Sequence, residues 1–149
     1  MTILAPFDGS SLSRTALERA SEFAEYRNEP VVALTIIPDD EEFARERGWI
    51  DADGTYDQTA VRDEFERTVR EVAPNATYRC EQPETSDSMT ATVTDDITRT
   101  IRAVADDVDA SIVFIGSENA GRVSAPVTSV GSPVSEDPRY DVHIVRHDG

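Results

Sequence analysis

The chain has 149 residues with 30 acidic and 14 basic side chains, which gives a formal net charge of −16 at pH 7. This length predicts one domain, residues 1–149, and the acidic surface argues against nucleic acid or an anionic membrane as a partner, because phosphates are bound by clustered Lys and Arg. No apolar run approaches the roughly 20 residues of a membrane span and no signal peptide precedes the first strand, so we expect a cytoplasmic protein.

The 14 basic residues are all arginines, and lysine is absent. Together with the acidic excess, this composition predicts a halophilic and haloarchaeal protein, because molar salt screens charge repulsion within about 3 Å and leaves the acids to hydrate the surface. Two alternatives stay open: an ordinary acidic protein of a mesophile, and an arginine bias that comes from GC-rich codons. The single cysteine, Cys80, excludes an intramolecular disulfide and a cysteine-based metal cage.

The first third of the chain predicts a strand, a helix and a second strand. Residues 3–7 form a short apolar run typical of a buried parallel strand, and the turn at 8–11 offers several N-caps for a helix. Apolar residues at helical spacing continue to about residue 27, and residues 28–30 end this helix. Residues 31–37 are a second apolar run, which predicts a second buried strand.

The middle of the chain is polar and acidic before a helical pattern resumes. Residues 39–55 predict a connection in which Trp49 and Ile50 are the bulky anchors. Apolar residues at helical spacing then predict a second helix, with one face made of Val61, Phe65, Val69 and Val72. A weak strand follows at 77–80, which we place at an edge of the sheet, and residues 82–92 predict an exposed loop.

The last third continues the alternation of helices and strands. Spacings of three and four predict a third helix, marked by Val93, Ile97, Ile101, Val104 and Val108. Residues 111–115 predict a buried strand that ends at Gly116, a loop leads to a helix that opens at Ser132-Pro133, and residues 142–145 predict the last strand. The whole order predicts an α/β fold, with an open five-stranded parallel sheet and helices on both faces.

A ligand site is expected at the carboxyl ends of the strands, where the winding of such a sheet reverses. The polar, glycine-rich ends are those after the first strand, at Asp8, and after the fourth, from Gly116 to Ser132. Backbone without a Cβ can approach a phosphate closely, and a helix that opens at Ser132 would direct its dipole at the same crevice. The alternative, that these glycines only make turns, stays open.

Three parts of the chain resemble universal stress proteins: its start, its end, and the region that begins with the fourth predicted strand. The chain opens with ILAPFDGS at 3–10, followed by the start of a helix, and it closes with VHIVR at 142–146. Between them, IVFIGS at 112–117 leads to Gly121, nine further residues and Gly131-Ser132, which is similar to the glycine-rich nucleotide loop of that family. The resemblance covers nearly the whole chain, is strongest at its two ends and is weak between residues 39 and 92.

The resemblance implies a fold, a site and partners. Members of the family have a five-stranded parallel sheet of the adenine nucleotide alpha hydrolase-like type and usually form homodimers. Some bind ATP, with Mg²⁺ arriving on the nucleotide, and others do not. In the binding branch, the position of Asp8 contacts the nucleoside and the position of Ile37 lies by the adenine. The phosphate loop corresponds to Gly116, Ser117, Gly121, Arg122, Gly131 and Ser132.

The loop departs from the family pattern at three places. Four residues separate Gly116 and Gly121 where the family has two, and alignment on the nine-residue spacing puts Glu118 in place of the first glycine. Pro133 lacks the backbone N–H that usually faces a phosphate. The resemblance implies a stress-response regulatory protein with a degenerate ATP site, and not an enzyme, although slow ATP hydrolysis stays open. The alternative is a universal stress protein that binds no nucleotide and acts as a dimeric interaction module.

Overall fold

A computed structural model describes residues 1–51, 53–83, 93–118 and 140–147, apart from the side chains of residues 94 and 95. The strands in these ranges are β1 (Thr2–Pro6), β2 (Val31–Ile36), β3 (Thr77–Glu81), β4 (Ala110–Gly116) and β5 (Asp141–Val145). The helices are α1 (Ser11–Arg27), α2 (Glu41–Glu46), α3 (Gln58–Val72) and α4 (Val93–Asp107). None of these helices combines the length and the apolar character needed to cross a membrane. The predicted helix that opens at Ser132 lies outside the described residues.

The strands form one parallel sheet in the order β3-β2-β1-β4-β5. The chain winds outward from β1 to β2 and β3 and then crosses back to β4 and β5, so the winding reverses between β1 and β4. This order confirms the predicted five-stranded α/β fold and the edge position of the weak strand, β3. It also makes neighbours of the two polar strand ends, at Asp8 and Gly116.

Helices cover both faces of the sheet, as the sequence predicts. The side chains of β1 alternate, with Ile3 and Ala5 facing α1 and α3, and Leu4 facing α4. The first face is covered by small and apolar residues of α1 and α3: Ala16, Leu17, Ala20, Val61, Phe65 and Val69. The second face is covered by residues of α4: Ile101, Val104 and Ala105. Burial on both faces explains why the central strands are continuous apolar runs in the sequence.

Helix α1 begins at the carboxyl end of β1, where polar caps fix its position. Ser10 is the N-cap, and its hydroxyl oxygen accepts a hydrogen bond from the backbone N–H of Ser13 at 3.2 Å. The Ser13 hydroxyl donates in return to the backbone carbonyl of Ser10 at 2.9 Å. Asn28 ends the helix in the left-handed conformation, with a φ of 54°. The N-terminal cap therefore holds the turn after β1 as a compact unit beside the sheet.

Helix α2 lies within the polar connection and is not revealed by the sequence pattern. Asp40 is its N-cap and accepts from the backbone N–H of Phe43 at 2.9 Å, and Glu41 and Glu42 interact favourably with the helix dipole. Six residues are fewer than two helical turns, so an apolar periodicity cannot appear. The helix depends instead on its cap and on contacts of the residues that follow it.

Candidate functional site

A cavity of about 430 Å³ lies at the carboxyl ends of β1, β2 and β4, on the face covered by α4. Its aliphatic and aromatic lining includes Pro6, Phe7, Leu34, Ile36, Ile97, Ile101 and Ile115. Its polar and charged lining, within the described residues, consists of Asp8, Ser13, Arg47, Thr98 and Glu118. The cavity therefore occupies the winding reversal, which is where open parallel sheets bind ligands.

Asp8 is fixed in the wall of this cavity by the turn that follows β1. Its Oδ1 accepts a hydrogen bond from the backbone N–H of Ser10 at 3.0 Å, and its own N–H donates to the Ser13 hydroxyl at 3.3 Å. Its Oδ2 accepts from Nη1 of Arg47 at 3.3 Å. The Asp8 side chain is 22% exposed. The carboxylate is thus held in one orientation and can still be reached by a ligand hydroxyl.

Residues 40–49, which we call the covering segment, fold over Asp8 after the end of β2. The guanidinium carbon of Arg47 lies 4.9 Å from the ring centre of Phe43, so the arginine stacks on this ring while it pairs with Asp8. Trp49 donates from its indole N–H to the backbone carbonyl of Asp8 at 3.0 Å. Cationic and aromatic groups therefore close this side of the cavity.

An aromatic cluster joins the covering segment to β1 and α3. Phe65 of α3 packs edge-to-face on Phe7 and on Trp49, with ring centres 5.6 and 5.3 Å apart. Gly9 faces the same ring with a φ of +85°, and a Cβ there would lie 2.8 Å from Phe65 Cε1. Position 9 requires glycine for both reasons, since other residues are strained in this conformation. Phe65 is therefore the packing centre behind the Asp8 turn.

The β4 side of the cavity is formed by Gly116 and Glu118. Gly116 ends β4 against the first turn of α1, where a Cβ would lie 3.0 Å from the Cβ of Leu12. Ser117 is half-buried and does not belong to the described lining, whereas Glu118 lines the cavity with an exposed side chain. Of the predicted site residues, the structure brings Asp8 and Gly116 to the same cavity.

Ile37 lies away from the cavity. Its side chain is 2% exposed and is buried in the core on the α1 and α3 face, whereas Ile36 lines the cavity. The β2 residues that line the cavity are Leu34 and Ile36, and both lie on the face opposite to Ile37, because consecutive residues of an extended chain point to opposite faces. The nearer of them is one position earlier than the sequence indicated. Just beyond, Tyr56 donates to the carbonyl of Pro38 at 2.7 Å, and burial raises the pKa of Tyr56 to about 12.

The remaining predicted site residues lie outside the described residues: Gly121, Arg122, Gly131 and Ser132. Their role in a phosphate loop stays a prediction from the sequence. Within the described ranges, no group of three or more His, Cys, Asp and Glu side chains is placed to hold a metal ion.

Sequence reasoning missed two walls of the cavity. The covering segment carries a signal, because Arg47 stands close to Phe43 and Trp49 in a stretch that is otherwise polar and acidic, and such a set favours a packed cation–π contact. The wall formed by α4 carries no such signal in the sequence. Ile97 and Thr98 belong to an ordinary amphipathic pattern, which is the same whether a helix faces a sheet or a cavity.

The sequence profile of the universal stress protein family matches residues 1–146. The chain belongs to this family. A universal stress protein solved in complex with cAMP is 23% identical, with 98% of this chain and 97% of that chain covered and a TM-score of 0.54. The universal stress protein from Archaeoglobus fulgidus in complex with dAMP is 17% identical, with 98% of each chain covered and a TM-score of 0.56. Universal stress protein UspA from Lactobacillus plantarum is 16% identical, with 98% of this chain and 97% of that chain covered and a TM-score of 0.54.

These comparisons confirm the resemblance in the sequence and the fold that it implied. The universal stress protein described here shares its five-stranded parallel sheet with these solved relatives, and at such identities the likeness extends to the fold alone. Among curated proteins, none matches the sequence.

Proposed function

We propose that this universal stress protein binds an adenine nucleotide in the cavity beside Asp8 and acts as a stress-response regulatory protein of the cytoplasm. The position of the cavity carries the proposal, because it lies at the winding reversal next to a fixed carboxylate. Its volume of about 430 Å³ falls within the range of about 300–1,000 Å³ typical of small-molecule sites. The relatives solved with cAMP and dAMP support an adenine compound as the ligand.

The cavity lining suits the two parts of a nucleoside. Leu34, Ile36 and Ile101 supply apolar walls against which a flat base can be buried. Asp8 supplies acceptors for ribose hydroxyls, since a carboxylate accepts up to about four hydrogen bonds. A hydrogen bond to a charged acceptor contributes about 1.5–3 kcal/mol, which is enough to orient the sugar.

More specifically, we propose that ATP with Mg²⁺ is among the adenine nucleotides that the cavity binds. The predicted phosphate loop begins at Gly116, which ends β4 beside the cavity, and Mg²⁺ would be held chiefly by the phosphates themselves. Glu118 lines the same side and repels a triphosphate more strongly than a monophosphate. We therefore expect AMP to bind at least as tightly as ATP.

The proposed role is binding and not hydrolysis. A hydrolase needs a group that accepts a proton from the attacking water at the phosphate end of the site. Of the two carboxylates in the described lining, Asp8 is engaged by Ser10 and Arg47 and is assigned here to the ribose. The other, Glu118, is exposed, and no hydrogen bond with a described residue orients it toward a water. We expect no turnover of ATP above the uncatalysed rate.

Calorimetric titration of the protein with AMP, ATP with Mg²⁺ and adenosine, in molar KCl, tests the proposal. We expect saturable binding of both nucleotides, and about tenfold weaker binding of adenosine and AMP to Asp8→Asn because a charged acceptor is lost. Asp106→Asn is the matched control, since this exposed acid of α4 lies outside the cavity lining. Absence of heat at millimolar nucleotide would contradict the proposal and favour the interaction module that binds no nucleotide.

We also propose that the protein is a homodimer, as the family resemblance implies. Within the described parts of the chain, β5 pairs only with β4, so its outer edge is available for another strand. Light scattering in high salt is expected to give twice the mass of one chain. The mass of a single chain at micromolar concentration would show the proposal to be wrong.

A further inference from the structure

We infer that Arg47 makes this cavity select a nucleotide over its nucleoside. The inference deepens the proposed function and rests on it, since it concerns the same cavity. It assigns the selection to a residue of the covering segment, residues 40–49, and thus to a part of the chain outside the glycine-rich loop. The ligand group that Arg47 recognises is an anionic phosphate.

The charges of the cavity lining single out this residue. Among the described residues that line the cavity, Arg47 is the one cation, whereas Asp8 and Glu118 are both carboxylates. Without Arg47, this lining would carry two negative charges and would repel a phosphate. With Arg47 paired to Asp8 at 3.3 Å, the charge of that carboxylate is balanced within the wall. The described lining then carries one net negative charge instead of two, on Glu118 at the β4 side, so an anion meets less repulsion on the side of Arg47.

The guanidinium also retains hydrogen-bond donors for a ligand. Arginine has five N–H donors, and among the described residues Nη1 of Arg47 donates to one acceptor, Oδ2 of Asp8. The Arg47 side chain is 29% exposed and borders the cavity. Its other N–H groups are therefore able to donate to a phosphate oxygen, and charged pairs of this kind are among the stronger hydrogen bonds.

The orientation of Arg47 is set by the covering segment. Phe43 lies beneath the guanidinium, with 4.9 Å between the guanidinium carbon and the ring centre. Asp40 caps the preceding helix, and Trp49 ties the following turn to the backbone of Asp8 at 3.0 Å. Because the segment is held on both sides, the arginine is pre-organised and loses little conformational freedom when an anion binds.

The decisive quantity is the ratio of the dissociation constants of adenosine and AMP. Both ligands carry the same base and ribose, so general loosening of the cavity weakens both and leaves the ratio unchanged. Loss of a cation that faces the phosphate weakens AMP alone. Arg47→Gln is expected to lower the ratio about tenfold or more, because a hydrogen bond between charged groups is lost.

Two further variants separate charge from shape. Arg47→Lys keeps the cation and is expected to retain most of the selectivity, although it loses the planar fork. Arg45→Gln is the matched control, because it removes the same charge two residues earlier, from a side chain that pairs with Glu41 and lies outside the described lining. The ratio for Arg45→Gln should stay within about twofold of the wild type in the same salt.

Titration calorimetry with AMP and with adenosine, on protein shown to be folded by circular dichroism, decides the outcome. A ratio for Arg47→Gln equal to that of the wild type overturns the inference. It would show that Arg47 stabilises the covering segment and does not recognise the phosphate. Absence of binding of both ligands to the wild type instead contradicts the proposed function itself. If Arg47→Gln does not fold, Arg47→Met carries the same test, since its apolar side chain can still pack on Phe43.

Discussion

Phe65→Ala is expected to lower the free energy of unfolding by about 3–5 kcal/mol, the range measured when buried aromatic side chains are truncated to alanine. Phe65 is 8% exposed and packs on Phe7 of the β1 end and on Trp49 of the covering segment. Its removal leaves a cavity between three elements that the surrounding chain cannot fill without moving. For a domain with a total stability of about 5–15 kcal/mol, this loss is large.

The same substitution is expected to weaken ligand binding. Trp49 packs on Phe65 and donates a hydrogen bond to the backbone carbonyl of Asp8. If the indole becomes more mobile, the turn that holds the Asp8 carboxylate therefore becomes more mobile as well. We expect the affinities for AMP and adenosine to fall together, since the ribose contact and the base wall are both loosened. This common loss differs from the phosphate-specific loss expected for Arg47→Gln.

Urea unfolding followed by tryptophan fluorescence measures the effect, because Trp49 is the only tryptophan and contacts Phe65 directly. Tyr26→Ala is the control, since Tyr26 is 86% exposed and its truncation should change the free energy of unfolding by no more than about 0.5 kcal/mol. Phe65→Leu keeps much of the volume and should cost less than Phe65→Ala. Equal stabilities of Phe65→Ala and Tyr26→Ala would show that this cluster does not hold the site together.

The order of elements could be predicted from the sequence because each long element has its own pattern. Apolar runs marked β1, β2 and β4, and spacings of three and four marked α1, α3 and α4. The edge position of β3 followed from its weak apolar character. The order of strands in the sheet was not predicted, since pairing between β1 and β4 joins residues more than a hundred positions apart that no local pattern connects.

The candidate site could be predicted only in part, for a physical reason. Asp8 and Gly116 stand at strand ends, and strand ends are visible in a sequence. The pairing of Arg47 with Asp8 joins residues 39 positions apart and depends on how a short capped segment folds back. Ile36 and Ile37 both lie at the end of an apolar run, and the side that each one faces depends on where the strand ends. Such contacts are set by tertiary packing, which composition and periodicity do not encode.

The second large effect is expected from salt. Lowering the KCl concentration from about 2 M to about 0.05 M should reduce the free energy of unfolding by several kcal/mol. The net charge of −16 leaves sixteen acids without a compensating cation. Like-charge pairs at helical spacing cost about 0.2–0.5 kcal/mol each, and one such pair for each of the sixteen acids amounts to roughly 3–8 kcal/mol when unscreened. This is comparable with the whole stability of a domain of about 5–15 kcal/mol.

Surface ion pairs oppose the stabilisation of the protein by salt, because salt weakens them, but they do not reverse it. Arg67 pairs with Glu64 and Glu71, and Arg70 with Glu66, on the exposed side of α3. Each such pair contributes at most about 1 kcal/mol, and salt weakens it. At 1 M the screening length is about 3 Å, so contacts of that length keep part of their attraction whereas repulsion between more distant acids is almost abolished. Screening therefore favours the folded state.

Thermal unfolding in a KCl series, followed by circular dichroism, measures this dependence, and a variant isolates its cause. Glu22, Glu25 and Asp106 are exposed acids that form no ion pair within the described residues. Changing all three to their amides lowers the net charge to −13 (−16 plus 3) and should raise the stability in low salt while leaving it nearly unchanged at 2 M. If salt acted only by strengthening apolar burial, wild type and variant would respond equally. A stability independent of KCl would support the ordinary acidic mesophile, because the acidic surface would then carry no appreciable electrostatic cost.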